Sequence, residues 1–382
     1  MAIPKYTGEY MEEQNNPFKY GAPVSKEDFV NREEECKQLR SALLSGQNVI
    51  LYSPRKMGKT SLIEQTKTLI PGKEVVVAYT DLFGVSSEKE LVKKIVNSLF
   101  HAAYPRLSVF EEAVRKILRK IPVKIEILKG TVTVELLGEK KPATEELEEA
   151  FDLPEKIAEN IKKRVIMVFD EFQDITELNG VRIEKLMRAK FQHHKKVSYL
   201  FAGSKTSIMR TIFADQTHAF YRFGTTMKIG PISKQDFTGF IKRKFENTGK
   251  KITLESIEKI IEFSKGHPYF TQKLCWHLWY TSKRKIEKQD VNTAIEKAVI
   301  SDAEFYEETW ASLTPGQRRL LTGLALQPRA NKYSIDFIST FGLRSASYVK
   351  RATAALEKKR VIENWEVTDP FFTEWIKGLE GK

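Results

Sequence analysis

The sequence predicts an α/β protein in which a parallel sheet is followed by an all-helical region and a small module of helices and a hairpin. Short apolar runs alternate with helical patterns over residues 31–230, which is typical of strands joined by helices. From Pro231 onward, helical patterns follow one another. The last segment places three helices before a tight hairpin, which is the order of a winged helix-turn-helix.

Composition indicates a folded chain of two or three domains. The 382 residues are 41% apolar and 11% aromatic, which excludes a disordered chain. The net charge of +13 permits a polyanionic partner, and two cysteines exclude a disulfide framework. No apolar run has the length of a membrane span, and residues 1–16 carry no secretory pattern. We therefore expect a cytoplasmic protein without a membrane partner.

The core domain is predicted over residues 31–230, after an N-terminal extension over residues 1–30. Its buried strands are expected at Asn48–Tyr52, Glu74–Leu82, Arg164–Asp170, Val197–Ala202 and Thr226–Gly230. Apolar residues at helical spacing predict helices over Arg32–Ser45, Ser61–Leu69 and Ser87–Phe100.

Residues 105–163 interrupt this alternation and predict an insertion within the core. Phe110–Ile121 has helical spacing. Alternating apolar and polar residues on both sides of Lys129 and Gly130 predict a β-hairpin. The segment Pro142–Lys163 is acidic and then helical.

Two domains are predicted after the core. Residues 231–300 form a small domain of four helices. The first begins at Ser233, and the others cover Thr253–Lys265, Pro268–Thr281 and Val291–Ile300. Residues 301–382 form the winged helix domain. Its elements are a capped start at Thr314-Pro-Gly-Gln, helices over Ser334–Phe341 and Ser345–Lys358, and a hairpin within Val361–Val367.

The segment between the first strand and its helix matches a phosphate-binding loop. It reads Ser53-Pro-Arg-Lys-Met-Gly-Lys-Thr, so Ser53 replaces the first Gly of G-x-x-x-x-G-K-[ST]. Gly58 lets the backbone approach a phosphate closely, Lys59 binds the β- and γ-oxygens, and the Thr60 hydroxyl binds Mg²⁺. The strand–loop–helix context disfavours a chance Gly-Lys-Thr. The predicted nucleotide-binding residues here are Ser53, Pro54, Arg55, Lys56, Met57, Gly58, Lys59, Thr60 and Ser61.

A pair of carboxylates follows a second buried strand. Asp170 follows the apolar run Val165–Phe169 and is predicted to hold Mg²⁺ through a water molecule, while Glu171 is predicted to be the general base on the attacking water. Alone, this pair would equally suit a solvated turn, but with Lys59 and Thr60 it predicts an Mg²⁺-dependent ATPase. Ser204, after the strand Val197–Ala202, either senses the γ-phosphate or orients water, or is an ordinary turn residue.

The order of these motifs along nearly the whole chain resembles the archaeal-type P-loop ATPases, which are related to the AAA+ replication initiators and to the signal-transducing (STAND) NTPases. The matching segments are Asn16-Pro-Phe-x-Tyr-Gly-x-Pro-Val, Phe29-Val-x-Arg-Glu, the loop Ser53–Leu62, Asp170-Glu-Phe-Gln, Phe220-Tyr-Arg-Phe, Gly266-His-Pro-Tyr-Phe-Thr-Gln, and the C-terminal winged helix.

The resemblance implies further site residues. Phe29, Val30 and Arg32 would lie near the adenine of ATP or ADP. Arg222 would be an arginine finger offered to a neighbouring subunit, with a surface or ion-pairing arginine as the alternative. His267 and Pro268 would begin a lid helix that faces the nucleotide, and no arginine stands beside them.

The winged helix bears on the choice of partner. Residues 310–382 carry 12 basic and 7 acidic residues, and the helix Ser345–Lys358 offers polar and basic groups to duplex DNA: Ser345, Ser347, Tyr348, Lys350 and Arg351. The short wing carries Glu363 and Glu366, which would repel a phosphate backbone.

Three interpretations of the whole chain therefore stand. The first is an ATP-driven switch coupled to DNA. The second is a STAND-type switch that controls self-assembly or a protein partner without nucleic acid. The third is a slow or inactive ATPase that uses nucleotide as a structural ligand.

Overall fold

The computed structural model describes residues 15–22, 24, 28–118, 123–128, 131–137, 144–282 and 284–380. The chain divides into two compact units. One unit is Ser25–Gly230, called here the core unit. The other combines Met1–Val24 with Pro231–Lys382 and is called the helical unit.

A five-stranded parallel sheet forms the centre of the core unit. The unit's strands in chain order are β1 (Val49–Tyr52), β2 (Val75–Asp81), β3 (Val123–Leu128), β4 (Thr131–Leu136), β5 (Arg164–Asp170), β6 (Val197–Gly203) and β7 (Thr225–Lys228). The sheet order is β2-β5-β6-β1-β7. The predicted fold class and the five predicted core strands are confirmed, with ends that differ by one or two residues.

Helices surround this sheet because its strands are apolar on both faces. They are α1 (Glu33–Leu44), α2 (Lys59–Thr68), α3 (Glu88–Ala103), α4 (Leu107–Ile117), α5 (Thr144–Ile161), α6 (Gly180–Phe191) and α7 (Thr206–Ala214), with a 3₁₀ helix at Phe172–Glu177. On β5, Val165 and Met167 belong to one buried cluster, and Ile166 and Val168 to the other. This alternation is the period of two that a strand buried on both faces requires.

The insertion is a hairpin that lies on α3. Strands β3 and β4 pair antiparallel, as predicted. Asn97 of α3 holds β4 with two hydrogen bonds: its Nδ2 donates to the Val134 carbonyl at 2.9 Å, and its Oδ1 accepts from the Val134 N–H at 2.8 Å. The predicted turn at Lys129 and Gly130 lies outside the described residues.

The helical unit begins with four helices and two short paired strands. These are α8 (Lys234–Glu246), β8 (Lys251–Ile252), α9 (Leu254–Ser264), α10 (Pro268–Thr281), β9 (Lys285–Ile286) and α11 (Lys288–Ser301). Residues 15–20 pack on these helices: the Phe18 ring lies 4.7 Å from that of Phe245, and Asn16 Nδ2 donates to the Trp276 carbonyl at 3.0 Å. This N-terminal segment therefore belongs to the helical unit.

The winged helix follows in the same unit. Its elements are α12 (Ala303–Ala311), α13 (Pro315–Leu326), α14 (Ile335–Thr340), α15 (Ala346–Lys358), β10 (Ile362–Glu363), β11 (Glu366–Val367) and α16 (Pro370–Glu380). The predicted capping box is present, because the side chains of Thr314 and Gln317 bond reciprocally to each other's backbone N–H. The wing turns through Asn364 and Trp365, both with positive φ.

A partly buried charge cluster links α10 to the winged helix. It consists of Lys273, Asp302, Tyr306 and Asp369. The Lys273 ammonium contacts Asp302, and the Tyr306 hydroxyl lies 3.4 Å from a carboxylate oxygen of each aspartate. Burial raises the pKa of Asp369, and Lys273 opposes that rise. Lys273 also lies 4.6 Å from the centre of the Phe371 ring, at the start of α16.

Candidate active site

The phosphate-binding loop connects β1 to α2 in a conformation that suits an anion. Ser53 is buried, and its N–H donates to the Gly203 carbonyl at 3.3 Å, which fixes the start of the loop against β6. Lys56 and Gly58 both have positive φ, of 60° and 87°. Gly58 is the N-cap of α2, so no side chain covers the N–H groups of the helix's first turn. Such a left-handed turn into a helix N-terminus is an anion-binding backbone.

The other predicted loop residues divide by exposure. Arg55 and Lys56 are exposed, and Pro54 is half-buried. Met57 and Ser61 are buried, and Met57 packs in the same cluster as Leu51 of β1. The buried Met57 side chain thus anchors the loop in the core, while Arg55 and Lys56 remain exposed to solvent.

Lys59 and Asp170 meet at the carboxyl edge of the sheet. They are 111 positions apart, yet the Lys59 ammonium contacts Asp170 Oδ1 and lies 3.5 Å from Glu171 Oε1. Burial by itself raises the pKa of Asp170, but Lys59 and the hydrogen bonds from Lys59, Tyr79 and the Glu171 N–H outweigh it, so the pKa is lowered. Asp170 is therefore an anion at neutral pH.

Thr60 and Asp170, the two predicted magnesium residues, lie next to each other. Thr60 Oγ1 lies 3.3 Å from Asp170 Oδ2. Mg²⁺ takes oxygen ligands in an octahedron, in which neighbouring oxygens are about 3 Å apart. Both predicted metal residues are oxygen donors at one place, but the Thr60 hydroxyl here donates to Asp170, and their roles toward Mg²⁺ stay predictions.

Tyr79 is a neighbour of Asp170 that sequence reasoning missed. Its hydroxyl donates to Asp170 Oδ2 at 2.6 Å. The register of β2 against β5 places Asp81 beside Asp170 and Tyr79 beside Val168. A polar residue inside an apolar strand was the available signal, but only the register shows which carboxylate it reaches.

Glu171 is held by two hydrogen bonds to one carboxylate oxygen. Its Oε2 accepts from Ser204 Oγ and from Gln173 Nε2, each at 2.7 Å. Its own φ of 49° turns the chain out of the strand directly after Asp170. The structure thus brings Ser204 to Glu171, and it adds Gln173, to which the sequence analysis gave no role.

Arg32 secures the phosphate loop from behind. Its side chain is 6% exposed, and its guanidinium donates to the carbonyls of Met57 at 3.1 Å and Gly230 at 2.8 Å. Its backbone is left-handed, with a φ of 80°. Val30 is buried, and Phe29 is half-buried against the cluster beneath β1. The position of these three residues near an adenine stays a prediction.

The remaining predicted site residues lie elsewhere. Arg222 is exposed, three residues before β7, and its guanidinium lies 5.2 Å from the Tyr221 ring centre. Because β7 runs parallel to β1, Arg222 is at the edge where β1 begins, opposite the phosphate loop. His267 and Pro268 belong to the helical unit, as the N-cap and first residue of α10. Their predicted roles toward nucleotide stay predictions.

Comparison with known proteins agrees with this geometry. Residues 29–274 match the family described as "ATPase domain predominantly from Archaea", and residues 304–378 match "Probable winged helix domain". The first match covers most of the chain. The chain belongs to this archaeal-type ATPase family, and it carries a C-terminal winged helix domain.

Solved structures show the same fold. A Walker-type ATPase of Pyrococcus abyssi superposes with a TM-score of 0.65 at 19% identity, over 94% of this chain and 99% of that one. The Aeropyrum pernix ORC2 protein, solved in ADPNP–ADP complexes, has a TM-score of 0.51 at 12% identity, over 97% and 99%. No curated protein sequence matches the chain. None of the described helices combines the length and apolarity that crossing a membrane requires.

Proposed function

We propose that the protein binds ATP with Mg²⁺ and hydrolyses it. The observation that carries this proposal is the convergence of Lys59, Thr60, Asp170 and Glu171, contributed by α2 and by the end of β5, beside a loop with the backbone of an anion site. Lys59 would bind the phosphate oxygens, and Thr60 and Asp170 would hold the metal. Mg²⁺, when bound, neutralises phosphate charge.

Glu171 is the base in this proposal. Its carboxylate takes a proton from the water whose oxygen forms a bond to the γ-phosphorus, while the bond from that phosphorus to the bridging oxygen of ADP breaks. Ser204 and Gln173 hold the carboxylate by Oε2, and Oε1, which lies 3.5 Å from the Lys59 ammonium, would accept the proton from the water. Replacing Glu171 by Gln keeps the shape and removes the base.

We propose that ATP turnover is coupled to duplex DNA through the winged helix. On α15, Val349, Ala352 and Leu356 are buried as predicted, while Ser347, Lys350 and Arg351 are exposed. Ser345 caps the helix, accepting from the Tyr348 N–H at 3.2 Å, and the Tyr348 ring packs against Gly316. The face available for phosphate contacts is therefore basic and narrower than the sequence predicted.

ATP turnover with and without duplex DNA tests both parts of the proposal. We expect hydrolysis that DNA stimulates, that Glu171→Gln abolishes, and that moderate salt weakens. The double variant Lys350→Ala with Arg351→Ala should lower DNA retention and reduce the slope of log affinity against log salt by about two. The control, Lys242→Ala with Arg243→Ala on α8, removes the same charge from exposed positions and should leave both unchanged. Turnover indifferent to DNA, with no DNA retained at low salt, contradicts the coupling.

The wing favours the second candidate function, a protein-interaction switch. Glu363 and Glu366 are exposed on its two strands, so this element opposes a phosphate backbone. In that case nucleotide, and not DNA, would change the mass of the particle in solution. Arg222, exposed and remote from its own phosphate loop, would then act on the nucleotide of a second copy. Turnover per chain that falls on dilution in the wild type, but not in Arg222→Ala, would support that role.

A further inference from the structure

We propose that Gln173 is the positioning residue of the candidate base, because it ties the Glu171 carboxylate to the end of β6. This inference rests on the proposed function, since it requires Glu171 to act on the attacking water. Gln173 contacts Glu171 and not the substrate. It acts through Glu171.

The amide of Gln173 is buried and used at both ends. The side chain is 1% exposed. Its Nε2 donates to Glu171 Oε2 at 2.7 Å and to Asp174 Oδ1 at 3.1 Å, and its Oε1 accepts from the Ser204 N–H at 3.2 Å. A buried polar group with every bond made is costly to displace, so the amide is a fixed support.

The orientation of this amide follows from its partners. Turning it over would place Oε1 against the carboxylates of Glu171 and Asp174, and the NH₂ group against the Ser204 N–H. Acceptor would then face acceptor at the two carboxylates, and donor would face donor at the Ser204 N–H, so neither contact could be a hydrogen bond. Lys205 fixes the Asp174 carboxylate as well, because its ammonium lies 3.0 Å from Asp174 Oδ1. The NH₂ group of Gln173 therefore faces Glu171.

The end of β6 is shaped around this side chain. A Cβ on Gly203 would lie 2.5 Å from Gln173 Oε1 and 2.5 Å from the Met209 sulfur. Real Cβ atoms do not approach that closely, so a side chain at 203 would require the Gln173 amide and the Met209 side chain to shift. Gly203 leaves space for the Gln173 amide. Ser204 donates two hydrogen bonds, from its N–H to Gln173 and from its hydroxyl to Glu171.

Two groups therefore hold Oε2 of the base, and a third group holds one of those two. Ser204 Oγ and Gln173 Nε2 bind the same oxygen of Glu171, and Gln173 is itself bound to the Ser204 backbone. Losing Gln173 removes one of the two hydrogen bonds to Glu171 Oε2 and loosens that side of the carboxylate. A base that is misoriented slows the chemical step and leaves ground-state nucleotide binding alone.

The test compares Gln173→Met with a matched control. Gln38 on α1 is exposed and donates from Nε2 to Glu34 Oε1 at 3.3 Å, so Gln38→Met removes the same type of bond far from the site. We expect Gln173→Met to lower kcat about tenfold or more, within the general-base contribution of about 10²–10⁴. The Kd for a fluorescent ATP analogue should stay close to that of Gln38→Met, while the melting temperature should fall below it, because Asp174 Oδ1 and the Ser204 N–H lose a partner.

Two further measurements separate positioning from a loosened fold. Gln173→Met combined with Glu171→Gln should turn over no more slowly than Glu171→Gln alone, because no base remains to be misplaced. Amide hydrogen exchange should quicken at Ser204, whose N–H loses its acceptor. It should not quicken at Tyr199 of β6, whose N–H donates to Asn48 Oδ1 at 3.0 Å. Gly203→Ala, which requires the Gln173 amide to shift, should reproduce the loss of kcat.

The outcomes are distinct. If Glu171→Gln hydrolyses ATP at the wild-type rate, the proposed function itself fails. If Glu171→Gln is inactive while Gln173→Met and Gly203→Ala turn over at the wild-type rate, only the positioning role fails. A weaker Kd with unchanged kcat, or faster exchange at both Ser204 and Tyr199, would also overturn it.

Discussion

Replacing Arg32 by methionine should loosen the phosphate loop and destabilise the core unit. The guanidinium donates to two carbonyls that become unpaired in the variant, those of Met57 and Gly230. Burial lowers the pKa of the Arg32 guanidinium, and the nearby Glu35 opposes that fall. Arg32 therefore carries its charge although the side chain is mostly buried. A hydrogen bond from a charged donor contributes about 1.5–3 kcal/mol, so the loss of two should lower the free energy of unfolding by about 3–6 kcal/mol.

Denaturant unfolding and ATP binding together test this prediction. Arg40→Met, on the exposed face of α1, is the matched control and should cost less than about 0.5 kcal/mol. Arg32→Lys keeps the charge on a single ammonium and should fall between the two. The Kd for ATP should rise about tenfold or more in Arg32→Met, because the Met57 backbone loses its anchor. If Arg32→Met unfolds within 1 kcal/mol of the control and binds ATP as the wild type does, the reasoning is wrong.

Three more changes have defined expectations. Tyr79→Phe removes a hydroxyl that binds Asp170 Oδ2, so an Mg²⁺ titration should show half-saturation at a concentration about tenfold higher; an unchanged titration would contradict a role at the metal ligand. Lys273→Met leaves two aspartates without their cation and should lower the free energy of unfolding by about 3 kcal/mol at pH 7, as thermal melts would report. Burial raises the folded-state pKa of Asp369 above its unfolded value of about 3.9, so its stabilising contribution is present below that value and is lost as pH rises through the folded pKa. Asp369→Asn should therefore flatten stability against pH from about 4 upward, and a variant that keeps the wild-type slope would refute the assignment.

Local signals in the sequence were enough for most elements. Strand β5 is apolar at every position before Asp170 except its first, because both of its faces are buried. Ser87, Ser233 and Thr314 each cap a helix through the side-chain oxygen, which a sequence shows directly. The fold class and the order of strands and helices along the chain therefore follow from short-range sequence patterns.

Long-range contacts were not accessible in the same way. Arg32 binds carbonyls 25 and 198 positions away, and Tyr79 reaches Asp170 across 91 positions. No periodicity encodes such pairs, because each depends on the strand register and the path of a loop. Residues 15–20 gave no pattern for the same reason: Phe18 is buried by aromatic rings more than 200 positions further on.

The chain passes between its two compact units twice, after Val24 and after Gly230. The second link is anchored on the core side by the same guanidinium that grips the phosphate loop, since Gly230 and Met57 share Arg32 as a donor. Arg32 therefore ties the Met57 backbone of the loop to Gly230, the last residue of the core unit, so that a shift of either carbonyl strains a hydrogen bond from the same side chain.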